Sequence, residues 1–112
     1  MDDEKEIRDS LTTILQKKGA EITSVGNLHD AKKLVLTQYY DVVISDVMLP
    51  HLGGFEISDI VKEVSKKTPI ILITGMEKDV LNSTMNKADL IVTKPFSGND
   101  IIDAIEKVGV RF

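Results

Sequence analysis

Three short apolar runs constrain this chain more than anything else in it: Val42-Val43-Ile44, Ile70-Ile71-Leu72-Ile73 and Leu90-Ile91-Val92. Each is too short for a helix and too continuously apolar for a strand with one face in water. Each therefore reads as a strand buried on both faces. The stretches between them carry helical spacing instead, as at Ile57, Ile60, Val61 and Val64. Strands alternating with helices imply right-handed crossovers and a doubly wound α/β fold, a parallel sheet with helices on both faces. Every run closes on polar residues: Ser45-Asp46, Thr74-Gly75 and Thr93-Lys94. In a parallel sheet these carboxyl ends share one edge, where open α/β sheets place their ligands.

The remaining elements follow from spacing and punctuation. Ile7, Leu11, Ile14 and Leu15 fall on one face of a helix from about Glu4 to Lys18, with Gly19 as its stop. Glu21 to Val25 alternates weakly and predicts a short strand closed by Gly26. Asn27 caps the next helix, with Asp30 in the capping-box position, and Ala31, Leu34, Val35 and Gln38 continue it. After a strand over Asp41 to Ser45 and a loop over Pro50 to Gly54, a helix runs to Lys66-Lys67, whose charge suits a C-terminal end. Val80, Leu81, Thr84, Met85 and Ala88 suggest a short helix. Ser97 and Asp100 form a second capping-box spacing before Ile101, Ile102, Ile105 and Val108. The chain thus opens on a helix, where folds of this class open on a strand.

Composition narrows the function classes. At 112 residues there is one core and no room for a second. A net charge of −4 argues against a broad basic nucleic-acid surface. Without cysteine there is neither a disulfide framework nor a thiolate metal site. No apolar run approaches the ~18 residues of a membrane span, and the acidic start M-D-D-E-K-E lacks a signal peptide's core. The expectation is a cytoplasmic domain without a membrane partner.

Asp46, Thr74 and Lys94 stand at successive strand ends, and Asp2-Asp3 lies just before the first helix. Hard carboxylate oxygens suit Mg²⁺, which takes one or two carboxylates plus a phosphoryl oxygen. A carboxylate can also attack phosphorus to give an aspartyl-phosphate. A hydroxyl and an ammonium can then hold the phosphoryl oxygens. Singly, each residue has a plainer reading as a turn cap, a strand end, a surface charge or a solvated terminus. Their joint placement at strand ends argues for the site.

The motifs D-D-E (Asp2-Asp3-Glu4), S-D-V-M-L-P-x-x-x-G (Ser45 to Gly54), I-T-G (Ile73 to Gly75) and T-K-P-F (Thr93 to Phe96) occur in this order. Together they resemble the receiver domain of two-component response regulators, of the chemotaxis type, over nearly the whole chain. The resemblance implies a flavodoxin-like, three-layer fold with a five-stranded parallel sheet in order 2-1-3-4-5. It implies Asp46 as phosphoacceptor, fed by a histidine kinase or phosphotransfer protein, with Thr74 as switch hydroxyl and Lys94 pairing with the phosphoryl group. It further implies Mg²⁺ held by Asp2, Asp3, Asp46 and the backbone carbonyl of Met48, and a cis peptide at Lys94-Pro95. Signalling would pass through the face formed by the family's fourth helix, fifth strand and fifth helix to an unidentified target. Such a domain is no enzyme beyond phosphotransfer onto itself and slow autodephosphorylation. Met48 and Met76 flank the path of the attacking water, and neither side chain orients water well. His29 and His51 match no motif position and read as loop or surface residues.

Three departures qualify the resemblance. Only Met1 precedes Asp2, so the first, interior strand is missing, and the domain is N-terminally truncated relative to the family. That predicts either an upstream segment with Met1 as the strand's last residue, completion of the sheet by another copy or a partner, or direct re-pairing of its neighbours with Asp2-Asp3 displaced. Ile91 stands where the family carries an aromatic switch residue, and the segment from Glu77 to Lys87 is short for the fourth helix. If the metal site is incomplete, the alternative is a receiver-like interaction module that has lost phosphorylation. A haloacid-dehalogenase-type phosphohydrolase would need an Asp where Met48 stands, and no G-x-G-x-x-G supports a dinucleotide site.

Overall fold

The computed structural model describes residues 1–2, 4–47, 53–75 and 88–112. Among these the order is α1 (Lys5–Lys17), α2 (Leu28–Thr37), β1 (Val43–Asp46), α3 (Gly53–Val64), β2 (Ile70–Thr74), β3 (Leu90–Thr93) and α4 (Gly98–Lys107). The three strands form one parallel sheet in the order β1-β2-β3. All three apolar runs are therefore strands, as their composition predicts.

β2 is the centre of the sheet because every one of its residues is buried. Its side chains alternate in period two between two cores. Ile71 and Ile73 join Leu15 of α1 and Ile101, Ala104 and Ile105 of α4. Ile70 and Leu72 join Ala31 of α2 and Ile57 and Val61 of α3. Helices thus cover both faces, giving the three-layer α/β/α arrangement. Each fully buried Ile or Leu contributes ~1.5–3 kcal/mol, so β2 alone anchors a large share of the stability.

Caps set the helix ends. Ser97 accepts from the Asp100 amide at 3.2 Å while the Asp100 carboxylate accepts from the Ser97 amide at 2.8 Å, a complete capping box. Asn27 accepts from the Asp30 amide at 2.9 Å, but the Asp30 carboxylate accepts from the Asn27 side-chain amide at 3.0 Å, not from its backbone. Gly19 takes the left-handed φ of +89° that ends α1.

Two expectations need correction at α3. Gly53 and Gly54 lie inside its first turn instead of in the preceding loop, and the helix ends at Val64, before Lys66 and Lys67. Thr68 explains the early end. Its buried side chain bonds Ser65 Oγ at 2.7 Å and the Tyr40 carbonyl at 3.1 Å, which turns the chain into β2.

The predicted strand from Glu21 to Val25 has no strand pairing. It does not re-pair with β1 either, because a cavity of about 470 Å³ lies between residues 19–24 and 38–44. A strand needs a ladder, and among the described residues only the short Met1–Asp2 segment reaches between the two walls. Met1 donates to the Ile44 carbonyl at 2.6 Å and accepts from the Asp46 amide at 2.9 Å, while Asp2 donates to the Val25 carbonyl at 3.2 Å. This is the bonding of the last residues of a parallel strand between the two walls, so Asp2 is not displaced.

Candidate functional site

The carboxyl edge of the sheet gathers the residues singled out by sequence. Asp46 ends β1 and is only 5% exposed. Its Oδ2 lies 2.6 Å from Lys94 Nζ, at the end of β3. The Lys94 amide donates to the Thr74 carbonyl at 2.8 Å, which ties its backbone to β2, and the peptide to Pro95 is cis. Burial opposes the Lys94 charge, but the hydrogen bond and field of Asp46, helped by Asp2 and Glu4, outweigh it and hold its pKa above the ordinary lysine value.

Asp2 reaches the same edge through the short ladder at Met1. Its Oδ1 accepts from the Glu4 amide at 2.9 Å as α1 begins, and Arg8 Nη1 donates to its carbonyl at 2.7 Å. Its Oδ2 is buried without a hydrogen-bond partner among the described residues. Burial raises the Asp2 pKa, and Asp46 adds repulsion, against the opposing Glu4 amide and Lys94. The Met1 amine is lowered to about 6, mainly by burial.

Carboxylate oxygens of Asp2, Glu4 and Asp46 all lie within 4.8 Å of one another. The set offers hard oxygen ligands, and the buried Asp2 Oδ2 has no hydrogen-bond donor among the described residues, so these residues fit a small divalent cation. Glu4 is the member that the sequence reading left without a role. Its signal was its place directly after Asp2-Asp3. It is exposed and lies 3.7 Å from Lys94 Nζ.

Thr74 ends β2, pairs with Thr93 and is 1% exposed, with no hydrogen-bond partner for Oγ1 among the described residues. Strand register thus brings Asp46, Thr74 and Lys94 to one edge together with Asp2. Gly54 closes the floor: a Cβ there would meet the Asp46 carbonyl at 2.5 Å and Val47 Cα at 2.8 Å. Asp3, Met48, Pro50, His51 and Met76, and with them the Met48 carbonyl and the segment from Glu77 to Lys87, lie outside the described residues. Ile91 pairs with Leu72 in mid-strand, and His29 is exposed in α2.

Comparison with known proteins fits this edge. The family model for the response regulator receiver domain matches residues 1–106. The transcriptional regulatory protein DltR of Streptococcus agalactiae is 32% identical over 107 residues, covering 94% of this chain and 48% of the relative. The transcriptional regulatory protein SrrA of Staphylococcus aureus is 32% identical over 104 residues, covering 91% of this chain and 43% of the relative. This chain therefore spans about half the length of the curated relatives it matches. Among solved structures, the response regulator TrrA of Thermotoga maritima in complex with Mg²⁺-BeF superimposes with a TM-score of 0.83 at 30% identity, covering 96% of this chain and 93% of that one. With its parallel sheet, two helical layers and clustered carboxylates, this chain belongs to the response regulator receiver domain family.

Proposed function

We propose that this chain is the phosphoacceptor domain of a two-component phosphorelay, with Asp46 taking the phosphoryl group. The observation that carries the reading is the 2.6 Å contact between the buried Asp46 and Lys94 at the sheet's carboxyl edge, with Asp2 packed beside them. An Asp46 carboxylate oxygen attacks the phosphorus of a kinase phosphohistidine. The P–O bond forms as the P–N bond breaks, and the imidazole nitrogen leaves with the bond's electron pair. Lys94 already holds the Asp46 carboxylate and passes to the incoming phosphoryl oxygens, offsetting their charge as it builds. Buried Thr74 supplies a hydroxyl to the same group.

Asp2 and Asp46, with Asp3 and the Met48 carbonyl carried over from the family pattern, would hold Mg²⁺. The ion supplies charge neutralisation between the carboxylates and the phosphoryl oxygens. The Mg²⁺-BeF complex of TrrA is consistent with that assignment. Receiver domains are signalling domains, so the output is a conformational bias read by a partner, through the face that carries β3 and α4. Because the matched relatives are about twice as long and are transcriptional regulators, the chain is read as one receiver domain of a longer regulator in a cytoplasmic pathway. Carried over from the family pattern, Met48 and Met76 would flank the path of the attacking water and make autodephosphorylation slow.

The test is incubation with Mg²⁺ and acetyl phosphate followed by intact mass. One added phosphoryl group, absent in Asp46→Asn and without Mg²⁺, is the expected result. No adduct under any condition would favour a receiver-like interaction module.

A further inference from the structure

One carboxylate at the carboxyl edge has no place in the metal set carried over from the family pattern. That set is Asp2, Asp3, Asp46 and the Met48 carbonyl, yet a Glu4 carboxylate oxygen also lies within 4.8 Å of ligand oxygens of Asp2 and Asp46. Nothing in the local chain requires this. Glu4 is the N-cap of α1, and a capping side chain ordinarily turns back onto the free amides of its own helix. Glu4 makes no such bond. Its Oε1 stands instead 3.7 Å from Lys94 Nζ, just past the end of β3.

Lys94 does not account for that orientation. Its ammonium is already engaged at 2.6 Å with Asp46, and its contact with the exposed Glu4 is long, the kind of surface pair that contributes little. Backbone bonds hold Glu4 at the site independently of Lys94. Its amide donates to Asp2 Oδ1 at 2.9 Å, and its carbonyl accepts from the Arg8 amide at 3.1 Å. The first of these bonds occupies one Asp2 oxygen. The other, Oδ2, is buried with no hydrogen-bond partner among the described residues, on a residue that is 2% exposed. Among the described residues, three carboxylates thus face one ammonium, an excess of negative charge that one divalent cation balances. Asp2 and Asp46 are buried and Glu4 is exposed, so the three oxygens enclose that position from the protein side and from the solvent side.

We propose that Glu4 is a third carboxylate arm of the divalent-cation site, holding the ion from the solvent side across from Asp2 and Asp46. The assignment rests on the cation site of the phosphoacceptor reading and adds a residue to it. A unit negative charge within ~5 Å of a dication contributes roughly tenfold in affinity even at the dielectric of water, and a carboxylate oxygen is the ligand type that Mg²⁺ prefers.

The test is calorimetric titration of the unphosphorylated chain with MgCl₂ at fixed ionic strength, with far-ultraviolet circular dichroism to check the fold of each variant. Glu4→Gln keeps the size of the side chain, removes its charge and should weaken Mg²⁺ binding about tenfold. Glu4→Asp keeps the charge but shortens the arm by one methylene and is a better cap for α1, so its affinity should stay within about threefold of that of Glu4→Gln. Glu63→Gln, exposed near the far end of α3, removes the same charge elsewhere and should leave affinity within about twofold of the parent. Unchanged binding in Glu4→Gln overturns the proposal. So does full recovery of affinity in Glu4→Asp, since a field without an arm would then suffice. Either result leaves the phosphoacceptor reading standing, whereas a parent that binds no Mg²⁺ refutes that reading together with this one.

Discussion

Replacing Gly54 by alanine tests the packing under Asp46. Alanine normally helps a helix by ~0.5–1 kcal/mol relative to glycine, and Gly54 lies in the first turn of α3. Propensity alone therefore predicts stabilisation. The structure predicts the reverse, because the added Cβ would stand 2.5 Å from the Asp46 carbonyl oxygen and 2.8 Å from Val47 Cα. Both are backbone atoms of the sheet edge, so no flexible side chain can yield. Relief requires α3 to move away from β1 by roughly an ångström, and overpacking of this kind costs ~1–3 kcal/mol. Subtracting the propensity gain leaves a net loss of about 1–2 kcal/mol. With urea m-values of ~1–3 kcal/mol/M, the midpoint should fall by roughly 0.5–1 M with little change in slope. Urea titration followed by far-ultraviolet circular dichroism measures this directly. Gly75→Ala is the control, since among the described residues nothing lies within 4 Å of its Cβ position and its φ is outside the left-handed region. A Gly54→Ala protein as stable as the parent would refute the close approach of α3 to Asp46.

Asp2→Asn should stabilise the metal-free protein near neutral pH and abolish any stabilisation by Mg²⁺. Its folded pKa lies above the unfolded value, so the charged form costs stability above that pKa, and the cost fades as pH falls through it. Urea midpoints with chelator and with Mg²⁺ give both readouts. Asp89→Ala should cost ~1–3 kcal/mol, because Asp89 Oδ2 accepts from the buried Ile70 amide and from Lys62, each at 2.7 Å. Burial opposes the Asp89 charge, but Lys62 and the Ile70 amide prevail and depress its pKa, so the ionic part of that loss is present above the unfolded pKa and vanishes as pH falls through the folded one. A pH series of thermal melts should show the mutant and parent converging in acid. Ser97→Ala removes the capping box of α4 and should cost ~1 kcal/mol, read as a lower melting temperature with phosphorylation of Asp46 retained.

What the amino-acid sequence determined by itself was the set of elements whose signal is local. β-branched runs without polar interruption had to be buried strands, and the Ser97–Asp100 pair had to cap a helix, because neither outcome depends on distant partners. The alternation of these elements then required a parallel sheet, and that requirement brought Asp46, Thr74 and Lys94 to one edge. The tertiary structure decided what depends on a neighbour. Glu21 to Val25 has a strand's pattern, yet it forms no strand, because a ladder needs a partner and a slot lies where the partner would be. Gly53 and Gly54 punctuate a loop by composition, yet they start a helix, because only glycine lets α3 close on the Asp46 carbonyl. Glu4 joins the carboxylate cluster through the turn that Asp2 makes into α1, a geometry that the D-D-E motif does not specify. Local chemistry chose the elements; their pairing was settled only in three dimensions.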